Sequence, residues 1–206
     1  MNYDNLSAKR NIMNYHAAKA FILDKLEREL SDVLTYHGLH HTLDVLHVAE
    51  ELCYLEKISP YETILVKTAA LFHDSGFTVS GKEHERLGCQ LVKLYLPAYG
   101  YTPSEIRCIC GMIMATKIPQ SPNNELEQIL CDADLDYLGR DDFYDIGNTL
   151  FEELRANEVL QTEEAWNKLQ VKFLSAHQFF TNTAKKRRAI RKNNYLNELK
   201  RLVATY

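Results

Sequence analysis

Leu71-Phe72-His73-Asp74-Ser75-Gly76 closes an apolar run, Ile64-Leu65-Val66-Lys67-Thr68-Ala69-Ala70-Leu71-Phe72, that carries a single charge. Apolar residues fall nearly all round such a segment, which predicts a buried helix rather than one lying on the surface. Ending a buried helix on an imidazole beside a carboxylate is costly, because an uncompensated charge in the interior must find a partner or a metal. Other groups of the chain must therefore converge on His73 and Asp74.

Outward from this helix, apolar residues recur at helical spacing almost throughout, and strand-like alternation is scarce. Eight Gly and five Pro are few for a β-sandwich or barrel, with its many turns. The first helix is expected over about residues 7–30, with Ile12, Ala17, Phe21, Ile22, Leu26 and Leu30 toward the core. A second runs from about His40 to Lys57. Ser59-Pro60-x-Glu62 opens the buried helix: Ser59 caps, Pro60 suits the first helical position, and Glu62 completes a capping box. Helical periodicity resumes from Glu83 to Tyr95. Thr102-Pro103-Ser104-Glu105 repeats the start signal for a helix to about Lys117, and another spans Leu126 to Leu138. Three more are expected near 141–157, 162–179 and 183–203. The fold class is all-α: a single-domain bundle of about eight or nine helices over residues 1–206.

The composition, 46% hydrophobic and 25% charged, is that of an ordinary globular protein. No run approaches the roughly 20 apolar residues needed to span a bilayer, and the N-terminus lacks the basic-then-apolar pattern of a secretory signal. A cytoplasmic location without membrane partners is expected. Cys53, Cys89, Cys108, Cys110 and Cys131 are odd in number and sit in apolar segments, as buried reduced thiols do. Residues 181–206 hold eight basic residues against one acidic, while the remainder holds 16 basic against 27 acidic. The run Lys185-Lys186-Arg187-Arg188-Ala189-Ile190-Arg191-Lys192 could bind nucleic acid or other phosphates. The plainer reading, a solvated terminal helix against an acidic body, is preferred over a nucleic-acid partner.

Four stretches offer metal-type ligands: Tyr36-His37-Gly38-Leu39-His40-His41-Thr42, His73-Asp74, His84-Glu85-x-x-Gly88 and Cys131-Asp132-Ala133-Asp134-Leu135-Asp136. Each is weak alone. Residues four apart share a helix face, so Asp134, in the row Leu130–Asp134–Leu138, should point inward, whereas Asp132 and Asp136 share the more polar row with Gln128. His41 precedes the apolar series Val45, Val48, Ala49 and Leu52. Histidine nitrogens with carboxylate oxygens suit Zn, Mn, Fe, Co or Ni ions. The absence of cysteine from the set argues for an open, catalytic site rather than a closed structural zinc.

His41, His73-Asp74 and Asp134, in that order on an all-α chain, resemble the HD-domain superfamily of metal-dependent phosphohydrolases. The resemblance spans about residues 36–140. It implies that His41, His73, Asp74 and Asp134 ligate one divalent ion (Mn, Fe, Co, Ni, Zn or Mg), with Asp132 as the fallback ligand. His84 matches a family position that contacts phosphate, acts as an acid or binds a second metal. Two-metal members commonly add a His near the end of the next helix, where this chain reads Met112-Ile113-Met114-Ala115-Thr116-Lys117, so a single ion is favoured. Lys117 and Arg140 are candidate phosphate contacts, each with the plain alternative of a solvated cation. Asp44 could orient an imidazole, and His37 and His40 are assigned no role.

The resemblance implies an enzyme hydrolysing a phosphate ester, of a nucleotide or cyclic nucleotide, with Asp74 and His84 in catalysis. Attack by a metal-activated water would be assisted by His84 or a bound water protonating the leaving oxygen. The alternative is a non-hydrolytic nucleotide- or effector-binding signalling module on the same fold. Monoester versus diester cleavage and self-association stay open at this level.

Overall fold

The computed structural model describes residues 13–206, and among these the chain forms nine α-helices and no strand. They are α1 (Tyr15–Glu29), α2 (Leu39–Leu55), α3 (Pro60–Phe72), α4 (His84–Tyr95), α5 (Pro103–Ala115), α6 (Glu125–Asp134), α7 (Phe143–Ala156), α8 (Glu163–Ala176) and α9 (Asn182–Val203). Short 3₁₀ turns over Ser75–Thr78, Leu96–Tyr99 and Asp136–Gly139 fill the corners. No described helix is long and apolar enough to cross a membrane.

The start signals work with one difference: Glu62 accepts from the Ser59 hydroxyl rather than from its backbone N–H, so the capping box expected there does not form. Ser59 Oγ accepts the Glu62 backbone N–H at 3.2 Å, and Pro60 stands at the head of α3, where a missing N–H leaves no bond unmade. Thr102 and Glu105 cap one another reciprocally at the start of α5. Two boundaries differ from expectation. Within the described residues α1 begins at Tyr15, with the Asn14 side chain accepting the Ala17 N–H; residues 7–12 of the expected helix lie outside them. Helix α6 stops at Asp134, because Leu135 leaves the helical region (φ −111°, ψ 19°), and the chain tightens into the Asp136–Gly139 turn.

Helix α3 is the buried rod that its composition predicts. Leu65, Val66, Thr68, Ala69, Ala70, Leu71 and Phe72 are all buried, and the lone hydroxyl among them, Thr68, donates to Ile64 O at 2.8 Å. Burying each large side chain contributes about 1.5–3 kcal/mol. A first apolar cluster gathers around this rod from α1 to α6. A second joins α7, α8 and α9 to Tyr36, Leu135, Tyr137 and Leu138. Three arginines of the basic helix α9 meet carboxylates of the body: Arg187 with Glu51, Arg188 with Asp136 and Arg191 with Asp141. The histidines and carboxylates singled out above lie at the seam between the two clusters.

Candidate metal centre

Three helix ends bring the centre together. His41 sits in the first turn of α2, His73 caps α3 with Asp74 following it, and Asp134 is the last residue of α6. His41 Nε2 lies 3.2 Å from Asp134 Oδ1, 3.4 Å from His73 Nε2 and 3.5 Å from Asp74 Oδ2. His73 Nε2 lies 3.1 Å from Asp74 Oδ2 and 3.6 Å from Asp134 Oδ1. Ligands held about 2.0–2.2 Å from one ion stand roughly 3.0–3.5 Å from each other, so these spacings are those of atoms around a shared cation.

The tautomers fit the same picture. His73 Nδ1 is 2.8 Å from Ala70 O and donates its proton there, which leaves a lone pair on Nε2, aimed at the cluster. Asp74 Oδ2 is buried and accepts no hydrogen bond, although His73 Nε2 stands close by. A buried carboxylate oxygen without a hydrogen bond, among two imidazoles and a second carboxylate, suits a cation. Titration expresses the same demand. Burial would lower the His73 pKa, but Asp74 and Asp134 outweigh it and hold it well above the usual range. Burial would raise both carboxylates, yet the facing histidines depress Asp74 strongly and Asp134 to about 2. A divalent ion would satisfy these groups in place of a proton.

A second ring of groups surrounds the four. The His84 ring lies 3.5 Å through Nε2 from Asp74 Oδ1 and from Glu85 Oε1. It stacks on Phe77 (4.3 Å between centroids), Phe77 also stacks on His37 at 4.2 Å, and the two imidazole centroids lie 6.1 Å apart. Gly76 makes this possible: a Cβ there would fall 2.0 Å from the His84 carbonyl oxygen, so only glycine lets the Ser75–Thr78 turn approach the start of α4 so closely. His37 Nδ1 is 2.5 Å from Glu153 Oε1 of α7, leaving its Nε2 free. His37, His84, Asp74, Glu85 and Asp134 line one end of a cavity of about 210 Å³, whose other walls are mostly apolar side chains of α7 and α8, joined by Tyr36, Thr116, Ile118 and the turn at residues 135–138.

A search of the solved structures places this architecture beside the crystal structure of a protein described as a predicted HD superfamily hydrolase, from an uncultured Thermotogales bacterium. The TM-score is 0.61 at 21% identity, and the match covers 100% of this chain and 99% of that one. The chain has the HD-superfamily fold. No family model matches the sequence, and a search of the curated proteins found no match.

Within this HD fold, two expectations about the acidic turn and both phosphate contacts are revised. Asp132 and Asp136 are not on a polar exterior face: they are 0% and 3% exposed. The row is polar because polar partners cover it. Asp132 accepts the backbone N–H groups of Phe180 and Thr181 at 2.8 and 2.7 Å, and Asp136 holds Arg188 Nε at 2.7 Å. The fallback ligand is thus committed elsewhere, while Asp134 faces the histidines. Arg140 is locked by Asp44 and Asp142, with four N···O distances of 2.9 Å, and is not among the residues lining the cavity. Asp44 accordingly serves Arg140 rather than an imidazole. Lys117 is exposed and does not line the cavity, though its neighbours Thr116 and Ile118 do.

Sequence reasoning left His37 and Glu153 without a role, and 116 positions separate them. The one signal in the sequence for His37 is its place four residues before His41, on the stretch that enters α2. Glu153 carries none, since a lone glutamate in an amphipathic helix reads as surface.

Proposed function

We propose that this protein is a metal-dependent phosphohydrolase that cleaves a phosphate ester at the seam between its two apolar clusters. The observation that carries the proposal is the convergence of His41 Nε2, His73 Nε2, Asp74 Oδ2 and Asp134 Oδ1, with the Asp74 oxygen buried and accepting no hydrogen bond. These four atoms would hold one divalent ion. When bound, such an ion lowers the pKa of a coordinated water and polarises a phosphoryl oxygen.

The chain's own groups supply the rest. His73 keeps its Nδ1 proton on Ala70 O, so its Nε2 stays a ligand atom. His37 is fixed by Glu153 and presents Nε2 as a proton donor; burial opposes its protonation, but Glu153 and the nearby carboxylates outweigh that and raise its pKa. His84 stands at the same end of the cavity with Nε2 toward Asp74. Both rings stack on Phe77, which restricts their rotation. Protonation of the leaving oxygen falls to His37 or His84, and general acid help of this kind contributes roughly 10²–10⁴-fold.

The test is metal analysis of purified protein, followed by a phosphate-ester panel with Mn²⁺, Fe²⁺, Co²⁺, Ni²⁺, Zn²⁺ and Mg²⁺. Metal-dependent phosphate release that Asp74→Ala abolishes is expected. Undiminished hydrolysis by Asp74→Ala would end the proposal. A nucleotide ester is expected from the family resemblance alone, with no support from a cavity side chain.

A further inference from the structure

We infer that the alcohol portion of the substrate is a small apolar group, an alkyl chain or a single aromatic ring; this rests on the phosphohydrolase reading above. The cavity that begins at Asp74 and Asp134 continues without interruption between α7 and α8. Its far half is walled by Leu138, Phe143, Leu150, Trp166, Phe173 and Leu174. On α8 the lining residues Trp166, Leu169, Gln170, Phe173 and Leu174 form one helical face. Such a stripe normally packs against a neighbouring element. Here it packs in part, with Trp166 stacked on Phe151 and Leu174 in the second cluster, and in part lines the cavity that reaches the metal ligands.

Three properties select the occupant. The first is charge: no Lys or Arg lines the cavity, and Glu85 joins Asp74 and Asp134 at its polar end. One divalent ion held by Asp74 and Asp134, together with a protonated His37, can receive one phosphate, while further phosphate groups would meet no Lys or Arg. The second is hydrogen bonding. Beyond the polar end, the polar side chains of the wall are already engaged: Gln170 donates to Asn167 Oδ1 at 3.2 Å, Thr116 donates to Ile113 O, and the Tyr36 and Tyr137 hydroxyls bond each other, leaving the Trp166 indole. A nucleobase and ribose would bury several donors and acceptors unpaired, which a site rejects far more strongly than it rejects a missing methylene. The third is size. The cavity, about 210 Å³, is larger than the ~150 Å³ that accepts a benzene ring, yet smaller than the ~300–1,000 Å³ of sites for drug-sized ligands.

Trp166 is the single tryptophan of the chain; it lines this wall and also a neighbouring hollow beside Phe151 and Asn167, so a change in its emission is assigned to this cavity through Leu150, which lines this cavity and not the other. The full-length protein without metal is titrated with n-alcohols from ethanol to hexanol, and with adenosine. Alcohols are neutral products of the proposed reaction and need no ion to bind. We expect a blue-shifted emission and a dissociation constant falling about fourfold per methylene, with no shift from adenosine. Leu150→Phe, which fills the pocket, should truncate the series at a shorter chain while its circular dichroism stays that of the parent. With metal bound, kcat/KM should rise along the n-alkyl phosphates and exceed that for AMP by at least about tenfold. Unchanged emission with every alcohol, or a preference for adenosine and AMP, overturns the inference. Hydrolysis of AMP above hexyl phosphate would sink this inference and leave the phosphohydrolase reading standing. Hexanol binding without hydrolysis of any ester would instead sink that reading, and the substrate assignment with it.

Discussion

Glu153 Oε1 stands 2.5 Å from Nδ1 of His37, and its other oxygen accepts the backbone N–H groups of both Tyr36 and His37. One buried carboxylate from α7 thereby sets the position and the protonation of an imidazole just before α2. Glu153→Gln should keep the fold and lower kcat by about 10–100-fold, within the range of general acid contributions. Its pH profile carries the sign. With His37 as the proton donor, activity falls as pH rises through its raised pKa. Removing the carboxylate lowers that pKa, and the basic limb of the profile should move to lower pH. A limb that does not move would remove His37 from the chemistry.

Metal binding can be read without turnover. A divalent ion at 100 times its Kd should stabilise the native protein by about 2.7 kcal/mol. Differential scanning calorimetry would show this as a raised Tm in the parent. In His41→Ala and Asp134→Asn the increment should shrink or vanish, because each removes one arm of the centre. An undiminished increment in both would place the ion elsewhere.

Gly76→Ala should be among the most damaging single-methyl additions in the chain. The new Cβ would meet backbone, the His84 carbonyl at 2.0 Å, which no side-chain rotation relieves. A loss of about 1–3 kcal/mol is expected from such overpacking, measured by urea unfolding, together with a displaced His84 and lower activity.

Asp132 links pH to stability with an unusual sign. Burial raises its pKa to about 6, partly offset by the N–H groups of Thr181 and Phe180. A carboxyl that holds its proton more tightly when folded than its unfolded value of about 3.9 stabilises most at low pH. That stability falls as pH rises from about 4 to 6 and is level beyond. Asp132→Asn does not titrate, so the parent should lose about 2–3 kcal/mol relative to it between pH 4 and 7. Asp132→Ala should cost about 1–3 kcal/mol or more at any pH, since two N–H groups lose their acceptor.

Arg140→Ala and Lys117→Ala separate structure from catalysis. The first breaks a guanidinium held by Asp44 and Asp142 and should cost about 1–2 kcal/mol of stability. Neither should change kcat/KM more than about twofold. A tenfold fall in Lys117→Ala would return that lysine to the substrate site.

What the sequence discloses divides along the range of the interactions. Ser59, Thr102 and the apolar run to Phe72 act within a few residues of themselves, so α3 and α5 appear where caps and periodicity predict. The set His41, His73, Asp74 and Asp134 was legible because each residue stands beside an apolar helical face that must be buried. Asp132 misled for the same local reason: its row looks polar, but the partners that bury it, Phe180 and Thr181, lie 48 and 49 positions away. Glu153 and the apolar wall of α8 were hidden likewise, since a helix face does not announce whether it packs on protein or on a cavity.

The clamps on either side of Asp134 also order events in time. Asp132 is tied to residues 180 and 181, and Asp136 to Arg188, whose backbone passes so close to Gly139 that a Cβ there would lie 2.6 Å from its carbonyl oxygen. During synthesis the residues around His41 and His73 emerge long before these clamps exist. The carboxylate that completes the centre gains its full support only after residue 188 has left the ribosome. A nascent chain can therefore bury its first apolar cluster early, while a fully supported metal site waits for the last helix to dock.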